Sequence, residues 1–209
     1  MANNILQARV TISGTRPLLW HAFGPDSIPL TKQEKTGVAG NDPEEWRKTV
    51  LVTPDGQLYV EPTYIFGCVR DGARHTKKGR GSIQPLVAAT LQILDDRVLV
   101  DRWMPEGVPP TDPAQPVFLH VCSVRNPATK ARNVRYRVAA SAGWTLSFTA
   151  LWDKTVVSRG ELESAIRDAG ALEGIGDGRR IGFGRFILTE FSILDGDKDD
   201  MDGRQAPAA

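Results

Sequence analysis

The stretch Gly174-Ile-Gly-Asp-Gly-Arg-Arg-Ile-Gly-Phe-Gly-Arg-Phe186 constrains this chain more than any other. Five glycines, at 174, 176, 178, 182 and 184, fall within eleven residues, with Arg179, Arg180 and Arg185 among them. Glycine reaches positive φ without a Cβ clash, so such a segment turns tightly and brings bare backbone close to another surface. Exposed N–H groups beside guanidinium groups suit an anionic backbone such as RNA. Before the glycines, Ser158-Arg-Gly-Glu161 reads as a capping box. It opens a helix with Leu162, Ala165, Ile166 and Ala169 on one face and Gly170 as its stop. After the glycines comes an apolar run of strand type, Phe183 to Leu194. The order is helix, glycine-rich loop, strand.

That order counts against the two commonest phosphate-binding glycine motifs. A dinucleotide fingerprint follows a strand and opens a helix, and Gly176-Asp-Gly178-Arg-Arg-Ile181 also lacks its last glycine. A P-loop ends in Gly-Lys-Ser/Thr, and no such triplet occurs. The competing reading is a glycine-rich turn that packs a helix onto a sheet.

A chain of 209 residues is long enough for a substantial core. The formal net charge of +1 predicts no polyanion partner by itself. Its distribution says more: residues 195–209 carry a net −3, which leaves +4 on the body before them. That acidic tail holds few apolar residues and is expected to be disordered. Cys68 and Cys122 sit in apolar surroundings and read as buried free thiols. No signal peptide and no membrane-length apolar run is visible, so a cytoplasmic location is expected.

Ile5 to Ser13 alternates, with Leu6, Ala8, Val10 and Ile12 on one face, and predicts the first strand. Residues 24–48 hold few apolar residues and many turn formers, which predicts a long excursion with one helical turn near Asn41–Arg47. Thr49 to Val60 reads as a hairpin around Pro54-Asp-Gly56. Pro62 suits the first turn of a helix whose face is Ile65, Cys68, Val69 and Ala73. Gly67 and Gly72 each weaken that helix by about 1 kcal/mol relative to alanine, which close packing against another backbone would offset. A second helix is expected over Pro85–Leu94 and a strand over Arg97–Met104. A proline-rich loop then leads to Val117–Val124, apolar on both faces and read as a central strand. Val134–Val138 and Leu146–Trp152 alternate across Ser141-Ala-Gly143 and read as a hairpin.

Three basic groups stand out. The first holds Arg70, Arg74, His75, Lys77, Lys78 and Arg80; the second spans 125–137 and includes Arg135 and Arg137; the third holds Arg179, Arg180 and Arg185. If they converge they form a track for phosphates; otherwise they are solvated basic faces. Trp20, Phe23, Tyr64 and Phe66 lie near loops where unstacked bases could rest. His21 and His75 are the candidates for acid–base chemistry on a 2′-hydroxyl, while His120 reads as a hydrogen-bonded core residue. No metal-ligand spacing, hydrolase elbow or cofactor motif occurs, so neither metal nor cofactor is expected.

The glycine-rich loop with its preceding helix and following strand resembles the C-terminal glycine-rich loop of the RAMP superfamily, CRISPR-associated RNA-binding proteins built on RRM-like domains. The spacing Gly174-x-Gly176, five residues, then Gly182-Phe-Gly184 carries the likeness. Val60-Glu-Pro-Thr-Tyr-Ile-Phe-Gly-Cys-Val-Arg-Asp-Gly-Ala-Arg74 is similar to the Cas7-type segment that opens a first helix with Gly and Arg. The resemblance implies an α+β fold, an RRM-like (ferredoxin-like) β-α-β-β-α-β core with insertions after the first strand and around a central hairpin. It implies one such domain over 1–194, with the 24–48 excursion as a thumb. The implied function is a Cas7-like backbone subunit, more a binder than an enzyme, that stacks with copies of itself into a helical filament. Guide RNA and other effector subunits would be its partners. Gly176, Gly178 and the three basic groups would touch the RNA backbone. The alternatives are a Cas6-like endoribonuclease using His21 or His75, and a protein-interaction module without nucleic acid.

Overall fold

The computed structural model describes residues 4–24, 42–125, 130 and 132–194. Most of the 24–48 excursion, part of the basic turn after Arg125 and the acidic tail lie outside the described residues. Among the described residues, eleven strands and four α-helices follow in the order β1 (Ile5–Gly14), β2 (Leu18–Leu19), α1 (Glu45–Thr49), β3 (Gln57–Val60), α2 (Pro62–Gly72), β4 (Lys77–Lys78), β5 (Gly81–Ser82), α3 (Gln84–Thr90), β6 (Gln92–Ile93), β7 (Val98–Trp103), β8 (Val117–Arg125), β9 (Arg132–Ala140), β10 (Thr145–Asp153), α4 (Arg159–Asp168) and β11 (Phe186–Leu194).

The main sheet is antiparallel, in the order β11-β1-β10-β7-β3, with β6 also against β10. Its β11-β1-β10-β7 portion, with α2 after β1 and α4 after β10, is the expected RRM-like β-α-β-β-α-β core. Alternation places Ala8, Val10 and Ile12 on the buried face of β1, and Leu146, Phe148, Ala150 and Trp152 on that of β10. They meet Ile65, Cys68 and Val69 of α2 and Leu162, Ala165 and Ile166 of α4 in one core. Between β6 and β7 the chain leaves the ladder. Asp95 replaces a missing acceptor there, taking a hydrogen bond of 2.6 Å from the Thr149 N–H, and Asp101, within β7, takes one of 2.6 Å from the Thr145 N–H.

The capping box forms: Ser158 Oγ accepts from Glu161 N–H, and the Glu161 carboxylate accepts from Ser158 N–H. Gly170 is not the stop. The helix runs on as a π-helical turn over Ala169–Glu173 and ends at Gly174, φ 79°. Gly170 serves packing instead, since a Cβ there would lie 2.3 Å from the carbonyl oxygen of Phe186. The same holds for Gly72, where a Cβ would meet the Ala165 carbonyl and the Ala169 amide nitrogen at 2.5 Å. α2 and α4 therefore touch backbone to backbone.

Three expectations need correction. β9 and β10 are both strands, but they do not pair with each other. β9 pairs with β8 from Val117↔Ala140 to Arg125↔Arg132, whereas β10 lies between β1 and β7. The turn between them is pulled into the core by Trp144, whose ring covers Gly14 and whose Nε1–H donates to the Arg16 carbonyl. Second, β8 is an edge strand of the small sheet β2-β9-β8, buried over Val117–Leu119 and alternating beyond. Third, the last strand begins at Phe186, and α3 ends at Thr90. Phe183 belongs to the preceding loop, where it packs on Leu19, Phe118 and Ala139.

Candidate nucleic-acid interface

The glycine-rich loop leaves the π-helical turn, passes the end of the small sheet and re-enters the main sheet as β11. Its glycines mostly serve the protein's own packing, which corrects the expectation of bare backbone held open to a ligand. A Cβ on Gly184 would lie 1.8 Å from the Ile175 carbonyl oxygen, and one on Gly176 would lie 2.6 Å from that of Leu19. Gly178, φ 72°, packs against the Phe183 ring. The peptide N–H groups of Ile175, Asp177 and Gly184 donate to the carbonyls of Gly184, Leu19 and Pro17. Among the described residues, those of Gly176, Gly178, Arg179 and Arg180 find no such partner.

What the loop presents outward is side chains, and these join the basic groups. Arg179 Nη1 lies 3.5 Å from Asp71 Oδ2, while Arg70 holds the other oxygen of the same carboxylate at 2.8 Å. Arg137 Nε lies 3.1 Å from Asp177 Oδ2, within Coulomb reach although the N–H is not aligned as a hydrogen bond. Arg137 is 7% exposed, so that carboxylate neutralises an otherwise stranded buried cation. Arg135 pairs with Glu45 of α1.

Two adjoining cavities share Gly176, Asp177 and Arg179 and form one groove. The smaller, about 290 Å³, reaches His21 and the first half of α2 at Thr63, Tyr64 and Gly67. The larger, about 770 Å³, runs along β8 past His120, Cys122, Ser123 and Arg125 to Arg180. Six arginines (70, 125, 135, 137, 179 and 180) adjoin the groove or its salt-bridge partners, against the carboxylates of Asp71, Asp177 and Glu45. The excess is positive, as a phosphate track requires.

Not every expected residue joins it. Arg74 and His75 both contact Glu173, the histidine Nε2 at 2.9 Å, and Lys78 Nζ lies 3.1 Å from Glu161. Lys77 and Arg80 are exposed on the β4–β5 turn region beyond them. The second half of the first basic group is thus partly neutralised by acids on and after α4. Arg185 turns inward, its Nη1 buried with no hydrogen-bond partner. Trp20 is a core residue, 1% exposed, donating its Nε1–H to the Tyr59 carbonyl. Phe66 packs against the core and Tyr64 lines the groove.

Sequence reasoning missed His120, Asp71 and Asp177. His120 is no satisfied core residue. It stands edge-on to Phe183 at 5.1 Å with Nδ1 unpartnered, on the alternating half of β8. Asp177, the lone acid among the loop's glycines and arginines, was legible as an exception but not its partner Arg137, forty residues away in sequence. Burial lowers the pKa of His21 against the pull of Asp177 and Glu45. Burial also lowers that of His120, helped by Arg137. Both are therefore neutral at pH 7.

No known protein family matches the sequence, and neither does any curated protein. Among solved structures, the chain is similar to one in the cryo-EM structure of the type III-B Cmr-beta bound to cognate target RNA. The TM-score is 0.51 at 12% sequence identity, a likeness of fold. It covers 91% of this chain and 61% of the other, so the chain spans about three fifths of that protein's length.

Proposed function

We propose that the chain is an RNA-binding subunit of a CRISPR effector-like ribonucleoprotein. In this reading it is a Cas7-like, non-catalytic backbone subunit that holds guide RNA by its sugar-phosphate chain and stacks into a helical filament. The observation that carries the reading is the meeting of all three basic groups around Asp177 and Arg179, at the loop end of an RRM-like core. The likeness of fold to a chain from a complex bound to target RNA supports it. Arg70, Arg137, Arg179 and Arg180 would line the phosphate path, and Gly176 and Gly178 would keep the loop thin beneath it. Arg135 would hold the hairpin against α1. Arg74, His75, Lys77, Lys78 and Arg80 would extend the path outside the groove, and Arg185 would act from inside the loop. The test is fluorescence anisotropy with a labelled single-stranded RNA at several salt concentrations. Arg179→Ala with Arg180→Ala should weaken binding uniformly across sequences and reduce its salt dependence. Unchanged affinity in that double variant would remove the loop from the site.

A cleaving role has one observation in its favour: His75 is held by the Glu173 carboxylate beside Arg74, a base with an orienting acid and a nearby cation. RNA cleavage lost on His75→Ala would replace the binding-only reading.

A further inference from the structure

The smaller cavity of the groove differs in chemistry from the larger. At about 290 Å³ it sits at the lower edge of small-ligand sites, which run from about 300 to 1,000 Å³. Its lining joins the ring of Tyr64, two residues without side chains, Gly67 and Gly176, and the polar groups of His21, Asp177 and Arg179. A Cβ built on Gly67 meets nothing within 4 Å, so no protein contact requires glycine there. Alanine would make the better helix. The glycine leaves room for something other than the chain itself. A phosphate is a poor candidate for that room. It would meet the Asp177 carboxylate with Arg179 alone among the arginines to offset it, whereas the larger cavity shares both and adds Arg125, Arg137 and Arg180. A flat, neutral heterocycle fits better: Tyr64 supplies an aromatic ring to the lining, and Gly67 leaves space beside it. His21 adds an imidazole whose Nδ1 is buried without a hydrogen-bond partner.

We propose that this cavity receives one unstacked nucleobase bearing an exocyclic amino group, which donates to the Asp177 carboxylate while the base stacks on Tyr64. The inference rests on the RNA-binding reading of the groove and adds a preference to it. Cytosine and uracil isolate that preference, because they differ where cytosine carries the amino donor and uracil a carbonyl acceptor. A carboxylate accepts from the first and repels the second.

The experiment compares decacytidylate and decauridylate RNA by anisotropy at one salt concentration, on the full chain and two variants, each checked for a native thermal transition. The unaltered chain should prefer decacytidylate by about five-fold or more, the scale of one good base-edge contact. Gly67→Leu, which fills the cavity from α2, should bring decacytidylate down to the affinity of decauridylate. Asp177→Asn keeps an oxygen for Arg137 but can also donate, so it should narrow the preference. Equal affinities in the unaltered chain, or a preference that survives Gly67→Leu, would overturn the cavity's role and leave the groove's intact. No binding of either RNA would overturn the RNA-binding reading itself, and the cavity with it.

Discussion

Residues of one type diverge here according to what surrounds them. Cys68 is buried against α4, its Sγ 3.7 Å from the Ala169 carbonyl, and burial pushes its thiol up to about 12. Cys122 is half-buried and lines the groove. Thiolate and access govern reactivity, so iodoacetamide at neutral pH should label the native chain once, at Cys122, and twice only after denaturation. Mass spectrometry reads the difference. The histidines make a second case. His21 and His120 both fall below their ordinary value of 6.5 in the folded chain, chiefly through burial. Below about pH 6.5 the unfolded chain therefore binds more protons than the folded one. Their neutral burial is fully tolerated above that pH and destabilises increasingly as pH falls toward the lowered folded values. The melting temperature should fall from about pH 7.5 to about pH 5.5, and His21→Gln with His120→Gln should flatten that slope. A slope unchanged by the pair would place its origin in other groups.

Between elements, two glycines five residues apart on α2 do opposite things. Gly72 lets α2 and α4 approach until backbone meets backbone, and no side chain at the contact can yield. Gly72→Ala should destabilise the chain by about 1–3 kcal/mol, the range for overpacking a rigid contact. Gly67→Ala meets open space and should stabilise it by up to about 1 kcal/mol. Urea denaturation of the two variants gives the comparison, and equal effects would refute the contrast. The strands taught a different lesson. Alternation located β9 and β10 to within a residue or two, because period-two patterning follows from the pleat alone. It could not choose their partners. Leu146, Phe148, Ala150 and Trp152 match the apolar face of β1 as well as that of any neighbour, and Trp144 docked on Gly14 turns β10 away from β9.

For the whole molecule, the quantity to measure is how steeply RNA binding depends on salt. Each phosphate neutralised on a single strand contributes about −0.7 to the slope of log K against log salt. Removing Arg179 and Arg180 should therefore flatten the slope by about 1.4, if each meets one phosphate. The sequence by itself determined the local features: the capping box at Ser158, the α2 face, the alternation of β1 and β10, and a glycine-rich bend before the last strand. Each of these follows from contacts within a few residues. The RRM-like α+β class was what the resemblance carried by the glycine-rich bend and the α2 segment implied. Tertiary structure alone decided what the glycines are for and which cations matter. Positions 176 and 184 admit no Cβ because Leu19 and Ile175 lie against them, and their sequence neighbours carry no trace of that. Arg137 reaches the groove and Arg74 turns to Glu173 because folding places one carboxylate beside each. Coulomb attraction depends on distance through space, and a linear chain does not record that distance.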